Sequence, residues 1–447
     1  MTRAPTAPDP DPVCASAVSA FSADDPAALA ATPGDAAALL ATTREVRRRA
    51  QALLAHARAG QSRWFTVCDT AMPAAVNAVV EATHRRYPGG AIPFHSRWRH
   101  FEAGGVDRRA QLDALLGSAL PPERARAQID LAVASVLLDA GAGPQWRYTE
   151  NATGKTFARS EGLGVASFHA FTAGLFSSDP RNPLRVDAQG LRALDADRLA
   201  QALQVRGDNP LVGLEGRATL LRRLGEVLSE DAANFGEEGR PGHIFDELSG
   251  TDHHAVPPTA QVQAHDILST LLQSLGPIWP AQNAIGGAQG ATAYLGDCWR
   301  HPEARGPGLS DGWMPFHKLS QWLTYSLLEP FEWAGVKVRG LDQLTGLPEY
   351  RNGGLFLDAR VLEPRDASLP EQRLHAGDEP IVEWRALTVA LLDELAPLVR
   401  TQLGLSEAQM PLACVLEGGT WAAGRELAQR LRGGTPPLNI ESDGTVF

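Results

Sequence analysis

The clearest helical pattern of the chain lies in residues 316–355, FHKLSQWLTYSLLEPFEWAGVKVRGLDQLTGLPEYRNGGL. Apolar side chains recur there at spacings of three and four residues from position 316 to position 331, which predicts a helix with one face in the core. His317, Gln321 and Tyr325 step by four and therefore line up along a single polar edge of that helix. The stretch thus predicts a core helix that also presents polar groups to a ligand.

The same stretch carries a second set of polar and aromatic groups. Lys318 and Trp322 form another pair at a spacing of four residues on the helix. Beyond the helix, a segment broken by glycine and proline presents Glu349, Tyr350 and Arg351. These groups can donate, accept and stack, whereas a helix selected only for solubility would carry ladders of Glu and Lys. We therefore place the candidate site on this part of the chain.

Composition bounds the class of protein. At 447 residues with 44% hydrophobic side chains, the chain can bury a large core in one or two domains. The net charge of −11 argues against a general nucleic-acid or membrane-surface binder, because binding to phosphates needs a basic face. The cysteines lie far apart without a CxxC spacing, which argues against a disulfide framework and a thiolate zinc site. The sequence has neither a long apolar run nor a signal-peptide layout, so we expect a cytoplasmic protein with no membrane partner and no cofactor.

Periodicity along the rest of the chain predicts a mainly α fold. Residues 1–35 are rich in Ala, Pro and Asp and are predicted to be disordered. Apolar spacing and Pro or Gly breakers predict helices at 35–59, 72–87, 121–140, 163–175, 188–204, 214–232, 260–276, 315–334, 381–402 and 420–433. Short strands are expected at 64–67 and around 336–365.

These elements predict a single all-α catalytic domain over residues 36–447 with small β elements. The sequence contains no β-α-β alternation and no internal repeat. It leaves open whether the domain divides into two lobes that meet near residues 235–300. It also leaves open whether the helices are arranged as in DNA glycosylases.

Two polar connectors outside the opening stretch carry further candidates. Residues 93–109 are rich in His, Arg and aromatic side chains, and a guanidinium such as that of Arg99 binds carboxylate or phosphate. The same composition also fits a cluster that packs a loop onto helices. Residues 143–171 contain the pocket-lining candidate His169. Their GKT triplet lacks the glycine frame of a Walker motif, which argues against a nucleoside triphosphate site.

Two more segments contain candidate metal ligands and a candidate acid. Residues 239–254 hold side chains of metal-binding types, namely His243, Asp246, Glu247, Asp252, His253 and His254. Their spacing matches neither HExxH nor a facial triad, so no metal site is predicted. Asp297 lies two residues before Trp299, and apolar surroundings of this kind raise the pKa of a carboxyl group. Asp297 is therefore a candidate acid, with a simple loop cap as the alternative.

The opening stretch resembles the core signature of the queuosine 5′-phosphate N-glycosylase family of queuosine salvage. That family carries an aromatic-x-Lys-x-x-Gln helix followed by a Leu-Thr-x-x-x-acidic-Tyr-Arg segment. The matching residues are Phe316, Lys318, Gln321, Leu344, Thr345, Glu349, Tyr350 and Arg351. Asp297 matches an acidic turn upstream of the helix. Either Glu379 or Glu383, together with Arg385, stands at a different spacing where the family has Glu-x-x-x-Arg. This resemblance covers the C-terminal third of the chain.

A second resemblance covers most of the chain. It rests on HSRWRHFEAGG at 95–105, NPLVGLEGR at 209–217 and PFHKLSQWLTYSLLEP at 315–330. These segments are similar to the family tied to the ring-opening pathway of uracil catabolism, whose members are often labelled uracil phosphoribosyltransferase. That label predicts an acidic pair before a Gly/Thr-rich diphosphate loop, and the sequence contains no such pattern.

Together the two resemblances imply a hydrolase that cuts an N-ribosidic bond in a ribosyl-urea, nucleoside or nucleotide intermediate of uracil breakdown. Such a reaction passes through an oxocarbenium-like state. It needs a carboxylate at the sugar and an acid at the departing nitrogen. The resemblance gives these roles to Asp297 and Glu349, in an order that the sequence leaves open.

The same resemblance implies a set of substrate-binding side chains. They are His317, Lys318, Gln321, Trp322, Tyr350, Arg351, Trp299, Glu383, Arg99 and His169. The expected partner is a small ribosyl molecule, and the number of subunits is left open. Two other functions also remain open: a phosphoribosyltransferase that needs diphosphate and a divalent metal, and a non-catalytic partner of the ring-opening enzyme.

Overall fold

The computed structural model describes residues 30–251, 255–278, 283–286, 290 and 292–441. Within these ranges the chain is mainly α-helical, which confirms the predicted fold class. The α-helices are α1 Pro33–Leu40, α2 Thr43–Arg58, α3 Met72–Arg86, α4 Trp98–Phe101, α5 Arg108–Leu115, α6 Pro121–Leu137, α7 Arg159–Thr172, α8 Ala188–Arg192, α9 Ala196–Ala202, α10 Leu214–Glu230, α11 Ala232–Phe235, α12 Ile244–Ser249, α13 Ala264–Leu275, α14 Lys318–Trp333, α15 Tyr350–Asp358, α16 Glu379–Leu403, α17 Leu412–Val415 and α18 Trp421–Arg432.

The strands of the described residues are short and form two-stranded pairs. They are β1 Phe65–Val67, β2 Tyr148–Thr149, β3 Thr156–Phe157, β4 Gln261–Gln263, β5 Ala284–Gly286, β6 Thr292–Tyr294, β7 Cys298–Arg300, β8 Trp313–Pro315, β9 Lys337–Arg339, β10 Leu362–Pro364, β11 Arg373–His375 and β12 Asn439–Glu441. The pairs are β1 with β10, β2 with β3, β4 with β9, β5 with β6, β7 with β8, and β11 with β12. The predicted strand at 64–67 and the predicted β element around 336–365 are thereby confirmed.

Two predicted helices are each divided in the structure, because a polar side chain starts a new helix inside the predicted range. Thr42 caps α2, and its hydroxyl accepts a hydrogen bond from the backbone N–H of Glu45 at 3.3 Å. Asp195 caps α9 in the same way, with the N–H of Arg198 at 2.7 Å. Apolar spacing alone does not reveal such breaks, because the apolar stripe continues across them.

The expected broken segment ends at residue 349, where a helix begins that was not predicted. Glu349 caps α15, and its carboxylate accepts the N–H groups of Arg351 at 2.7 Å and Asn352 at 2.5 Å. The glycines of this helix have a packing role, because a Cβ on Gly353 would lie 2.7 Å from the ring of Trp384. Close packing between α15 and α16 therefore explains why this helix contains glycines, which the sequence suggested would break it.

One large hydrophobic core joins elements from α2 to α18, and a smaller cluster joins α1 to β5, β7 and β8. Within the large core, α14 packs against α6 and α13, and α16 packs against α2 and α3. The predicted disordered tail falls mainly on residues 1–29, which lie outside the described residues. The single domain, the two lobes and the DNA-glycosylase-like arrangement stay predictions. Among the helices described, none is long and apolar enough to cross a membrane.

A proline inside α14 fixes the connector that precedes α4. Pro330 has no N–H, so it cannot donate to the carbonyl of Ser326 one turn earlier. The indole N–H of Trp98 donates to that carbonyl at 2.9 Å, and the hydroxyl of Ser326 accepts the N–H of Arg97, also at 2.9 Å. Ser96 adds a hydrogen bond from its hydroxyl to Glu329 at 2.6 Å. The break in the helix thus anchors the residues from Ser96 to Trp98 against α14.

Candidate functional site

A cleft of about 720 Å³ opens beside the anchored connector. Its walls come from residues 95–104, the end of α6, the first turns of α7, α14 and α15, and residues 417–440. This volume falls in the range that is usual for small-molecule sites. The cleft is therefore the place to test the predicted site residues.

Five of the predicted residues line the cleft: Arg99, Lys318, Trp322, Glu349 and Tyr350. Lys318 and Trp322 come from the first turns of α14, as their spacing of four residues predicted. The residues around position 349 reach the same cleft from the start of α15. The structure thus brings together two parts of the opening stretch that are far apart along the chain.

Glu349 is the carboxyl group of this set, and its surroundings favour the protonated form. Burial raises its pKa, although the N–H groups of Arg351 and Asn352 and the charge of Lys318 act in the opposite direction. A partly buried carboxyl group whose pKa is raised is suited to give a proton to a leaving group. The chemistry available here is that of a general acid.

Lys318 lies among several carboxylates. Burial lowers the pKa of its ammonium group, and the charges of Glu349, Asp297 and Asp139 oppose that shift. Its backbone N–H donates to Asp297 at 3.0 Å, while its side chain lines the cleft. Lys318 therefore interacts with Glu349, which lines the cleft, and with Asp297, which does not.

Besides Nε of Arg99, two buried polar atoms on the cleft residues have no hydrogen-bond partner within the described ranges. One is Oδ1 of Asp139, whose other oxygen pairs with Arg97 at 3.1 Å and whose side chain is 8% exposed. The other is the indole Nε1 of Trp322, a residue that is 7% exposed. Arg97 connects the two, because its guanidinium also lies 5.6 Å from the ring centroid of Trp322. A buried group without a partner costs stability, so these unpaired atoms mark this wall of the cleft as a candidate binding surface.

Aromatic and imidazole rings form much of the remaining wall. Trp322, Tyr350 and Trp421 line the cleft, and His100 meets the ring of Trp322 edge-on at 5.6 Å between centroids. Burial, followed by the charge of Arg97, lowers the pKa of His100 to about 3. His100 is thus a neutral imidazole, and the wall can stack against a flat or sugar-like ligand.

Asp297 does not line this cleft but a smaller cavity of about 230 Å³. Strands β7 and β8 pair and bring it to the start of α14. Both of its oxygens bind the guanidinium of Arg385 at 2.8 Å, and Trp299 donates its indole N–H at 2.7 Å. Burial acts to raise its pKa, but Arg385, Lys318 and Trp299 outweigh that effect and lower it. The expectation that Trp299 raises the pKa of Asp297 is therefore wrong, because the indole donates a hydrogen bond to the charged form.

His317 and Gln321 also lie away from the cleft. His317 adopts a left-handed backbone conformation (φ 51°), lines the smaller cavity, and pairs through Nε2 with the carbonyl of Leu40 at 2.9 Å. Gln321 is fully buried, and its side-chain oxygen accepts the N–H of Thr345 at 3.4 Å. The predicted polar edge is real, but it faces the protein interior, as the hydrogen bond from Tyr325 to the carbonyl of Thr345 shows. Substrate contacts from His317 and Gln321 stay predictions.

The last four predicted residues hold other elements together. The side chains of Arg351 and Glu383 are buried, the former stacked on Tyr350 and the latter bound by Ser62 and by His301 at 3.3 Å. Trp299 donates its indole N–H to Asp297, as described above. His169 pairs through Nε2 with Glu150 at 2.7 Å. None of these four lines the cleft.

No group of three or more metal-ligating side chains occurs among the residues that the structure describes. Three of the side chains of metal-binding types, namely Asp252, His253 and His254, lie outside the described residues. His243 and Asp246 are described, but they are not part of such a group. The carboxylate of Asp246 binds Arg126 at 2.7 Å.

Sequence reasoning missed several cleft residues, and some signals for them exist. Asp139 follows the C-terminus of α6, where the helix dipole favours a cation, so its carboxylate there calls for a special reason. His95 and His100 lay in the connector already singled out for its Arg side chains. Glu417 begins the sequence Glu-Gly-Gly-Thr, which forms the π-helix Leu416–Thr420. Such insertions are frequent at functional sites, but they have no clear signature in a single sequence.

Comparison with known proteins places the chain among relatives of similar length. Residues 39–447 match a family described as "Protein of unknown function (DUF1688)". The chain is 39% identical to "Protein urg3" of Schizosaccharomyces pombe over 426 residues, which cover 92% of this chain and 98% of that protein. It is 41% identical to "Uracil catabolism protein 4" of Lachancea kluyveri over 386 residues, which cover 80% of this chain and 85% of that protein. The resemblance to a family tied to uracil catabolism is thereby confirmed. The chain belongs to the DUF1688 family.

Proposed function

We propose that this protein acts in uracil catabolism as a hydrolase that cleaves the N-ribosidic bond of a ribosyl-urea, nucleoside or nucleotide intermediate. The pathway part is supported by the relative named Uracil catabolism protein 4. The reaction part rests on one observation: the cleft is lined by a carboxyl group with a raised pKa, Glu349, together with a second carboxyl group, Asp139, one of whose oxygens has no hydrogen-bond partner in the described structure. Cleavage of a glycosidic bond uses two carboxyl groups, one as the acid and one at the sugar.

The roles follow from these surroundings. Protonated Glu349 donates to the nitrogen that leaves C1′ of the ribose. Asp139 faces the sugar, where its carboxylate accepts a hydroxyl or stabilises the positive charge that develops on the ring. The ammonium group of Lys318 lies near both carboxylates and binds an oxygen of the substrate.

The other cleft groups give binding and orientation. Trp322, Tyr350 and Trp421 offer ring faces to the substrate. Arg159 lines the cleft with an exposed side chain and is the cation that can reach a 5′-phosphate. Asp297 acts behind the cleft as a positioning residue, because it holds both Arg385 and the first turn of α14.

The experiment that tests this proposal is an assay for free sugar. Purified protein is incubated with ribosyl-urea, its 5′-phosphate, uridine and uridine 5′-monophosphate, and released ribose or ribose 5-phosphate is measured. A parallel arm contains uracil, phosphoribosyl diphosphate and Mg²⁺. Glu349→Gln protein, checked for folding by circular dichroism, serves as the control.

Sugar release by the unaltered protein and its loss in the variant would support the hydrolase. Nucleotide formation in the parallel arm would overturn it in favour of a transferase. No reaction in any arm would also overturn it and would favour the non-catalytic partner.

A further inference from the structure

A histidine and a glutamate on the cleft wall form a pair of the kind that activates water. Nδ1 of His95 lies 2.8 Å from Oε2 of Glu417, and both residues line the cleft. The side chain of His95 is 12% exposed and that of Glu417 is 4% exposed. In the described part of the chain no hydrogen bond reaches the other ring nitrogen, Nε2. Glu417 thus fixes the ring with Nδ1 toward the protein and Nε2 toward the open side.

The carboxylate of this pair is held rigidly. The π-helix Leu416–Thr420 packs tightly on α3, because a Cβ on Gly419 would lie 2.3 Å from the carbonyl of Val79. This approach places Glu417 against the end of α3, where Arg86 forms an ion pair with it and Tyr87 donates a hydrogen bond at 2.8 Å.

These partners also keep Glu417 charged. Burial acts to raise its pKa, but the contacts with His95, Arg86 and Tyr87 outweigh that effect and lower it to about 2. An ionised glutamate at Nδ1 stabilises the imidazolium that forms when Nε2 takes a proton. His100, whose imidazole is neutral, also faces the pair, and Arg99 and Glu102 carry further charges close to Glu417.

We propose that His95, oriented by Glu417, is the general base that activates the attacking water in this cleft. The inference rests on the proposed hydrolase and adds the residue that the reaction still lacks. Neither Glu349 nor Asp139 can serve as this base, since the first must carry a proton and the second faces the sugar.

The step balances as a hydrolysis. Nε2 of His95 removes one proton from water, and the oxygen forms a bond to C1′ of the ribose. The bond between C1′ and the nitrogen breaks, its electron pair stays on the nitrogen, and Glu349 supplies the proton for the departing group. The proton on His95 then returns to solvent and Glu349 takes one up, so both residues are restored.

The test compares His95→Gln and Glu417→Gln with the unaltered protein in the assay for free sugar over a range of pH. For His95→Gln we expect a kcat lower by about 10²–10⁴-fold. The decline of rate at acid pH, which reflects protonation of the imidazole, should also disappear. Glu417→Gln should keep that decline at a reduced kcat, because the base is present but its imidazolium is less stabilised. The control is His84→Gln, an exposed histidine of α3 outside the cleft, which should match the unaltered protein.

The outcomes separate the two proposals. If the unaltered protein releases sugar and folded His95→Gln has the same kcat and pH profile, the general base is another group and this inference is overturned, while the hydrolase stands. If the unaltered protein releases no sugar, the hydrolase itself is overturned. A lower kcat of His95→Gln with an unchanged pH profile would also overturn the inference, because a structural defect lowers the rate at every pH alike.

Discussion

Two carboxyl groups flank the start of α14, and their surroundings are opposite. Asp297, on one side, uses both oxygens on Arg385 and accepts two further hydrogen bonds from Trp299 and Lys318. Glu349, on the other side, has two backbone N–H groups as partners and borders the open cleft. The pKa of Asp297 is lowered and that of Glu349 is raised.

This difference favours a structural role for Asp297 and a chemical role for Glu349. A carboxylate whose lone pairs are all engaged by the protein can neither donate a proton nor accept a substrate hydroxyl. One that is buried, poorly compensated and next to a cleft can do the first. We therefore expect the loss of Asp297 to affect folding and the loss of Glu349 to affect turnover.

Glu349→Gln should give the largest effect on activity. The amide oxygen still accepts one of the two N–H groups that start α15, but no proton is available for the departing nitrogen. We expect kcat to fall by about 10²–10⁴-fold, measured as sugar release, with an unchanged circular dichroism spectrum.

The matched control is another helix-capping carboxylate. Asp195 caps α9 at 2.7 Å from the N–H of Arg198 and lies away from the cleft. Asp195→Asn should keep full activity. Equal activity of folded Glu349→Gln and the unaltered protein would remove the acid from the mechanism.

Asp297→Ala should give the largest effect on stability. It leaves the guanidinium of Arg385 in the interior without this carboxylate, and breaking a buried ion pair in this way costs about 3–5 kcal/mol. The free energy of unfolding, measured by urea titration, should fall by that amount, while the folded fraction keeps most of its activity.

An exposed ion pair supplies the comparison for this variant. Arg206 and Asp208 pair at 3.2 Å with side chains that are 67% and 78% exposed. Asp208→Ala should change the free energy of unfolding by less than about 1 kcal/mol. If Asp297→Ala is as stable as this control but inactive, Asp297 belongs to the chemistry after all.

The sequence predicted part of this contrast and missed the rest for a physical reason. The spacing of Lys318 and Trp322 indicated a shared helix face, and both do line the cleft. His317 and Gln321 share a face just as truly, but a sequence does not show whether other elements cover that face. Asp297 depends on Arg385, which is 88 residues away along the chain. The pairing that lowers its pKa could not be read from its neighbours.

Two cleft carboxylates that were not expected from the sequence show the same limit. Asp139 and Glu417 acquire their surroundings only when the end of α6 and the π-helix meet the connector that Trp98 anchors on α14. Tertiary contacts of this kind leave no periodic trace. The helical class, in contrast, follows from local spacing and was predicted correctly.

The pH dependence of stability should have opposite signs at the two carboxyl groups. Because the folded pKa of Asp297 is lowered, its contribution is present above the ordinary Asp pKa of about 3.9 and is lost as the pH falls through the folded value. Because the folded pKa of Glu349 is raised, its contribution is present below the ordinary Glu pKa of about 4.3 and is lost as the pH rises through the folded value.

Urea titrations over a series of pH values check this. The stability gap between the unaltered protein and Asp297→Asn should narrow toward acid pH, and Glu349→Gln should gain relative to the unaltered protein as the pH rises. Each unit of difference in pKa corresponds to about 1.4 kcal/mol. A gap that changes in the same direction for both variants would mean that the two sites do not differ as described.

The smallest expected effect comes from Trp322→Phe. The variant keeps a ring in the wall of the cleft but removes an indole N–H that has no partner in the described structure. If a ligand accepts that N–H, its loss weakens binding by about 0.5–1.5 kcal/mol, so KM should rise by up to about tenfold with little change in kcat. The free protein should be no less stable, because the change removes an unsatisfied donor.

Trp98→Phe provides the opposite case, since its indole N–H already donates to Ser326 at 2.9 Å. That variant should lose about 1–3 kcal/mol of stability, because a buried carbonyl is left without its donor, and should keep its KM. A KM that is unchanged in Trp322→Phe would mean that the open donor is not a ligand contact. The case for a ligand in the cleft would then rest on Glu349 and Asp139 alone.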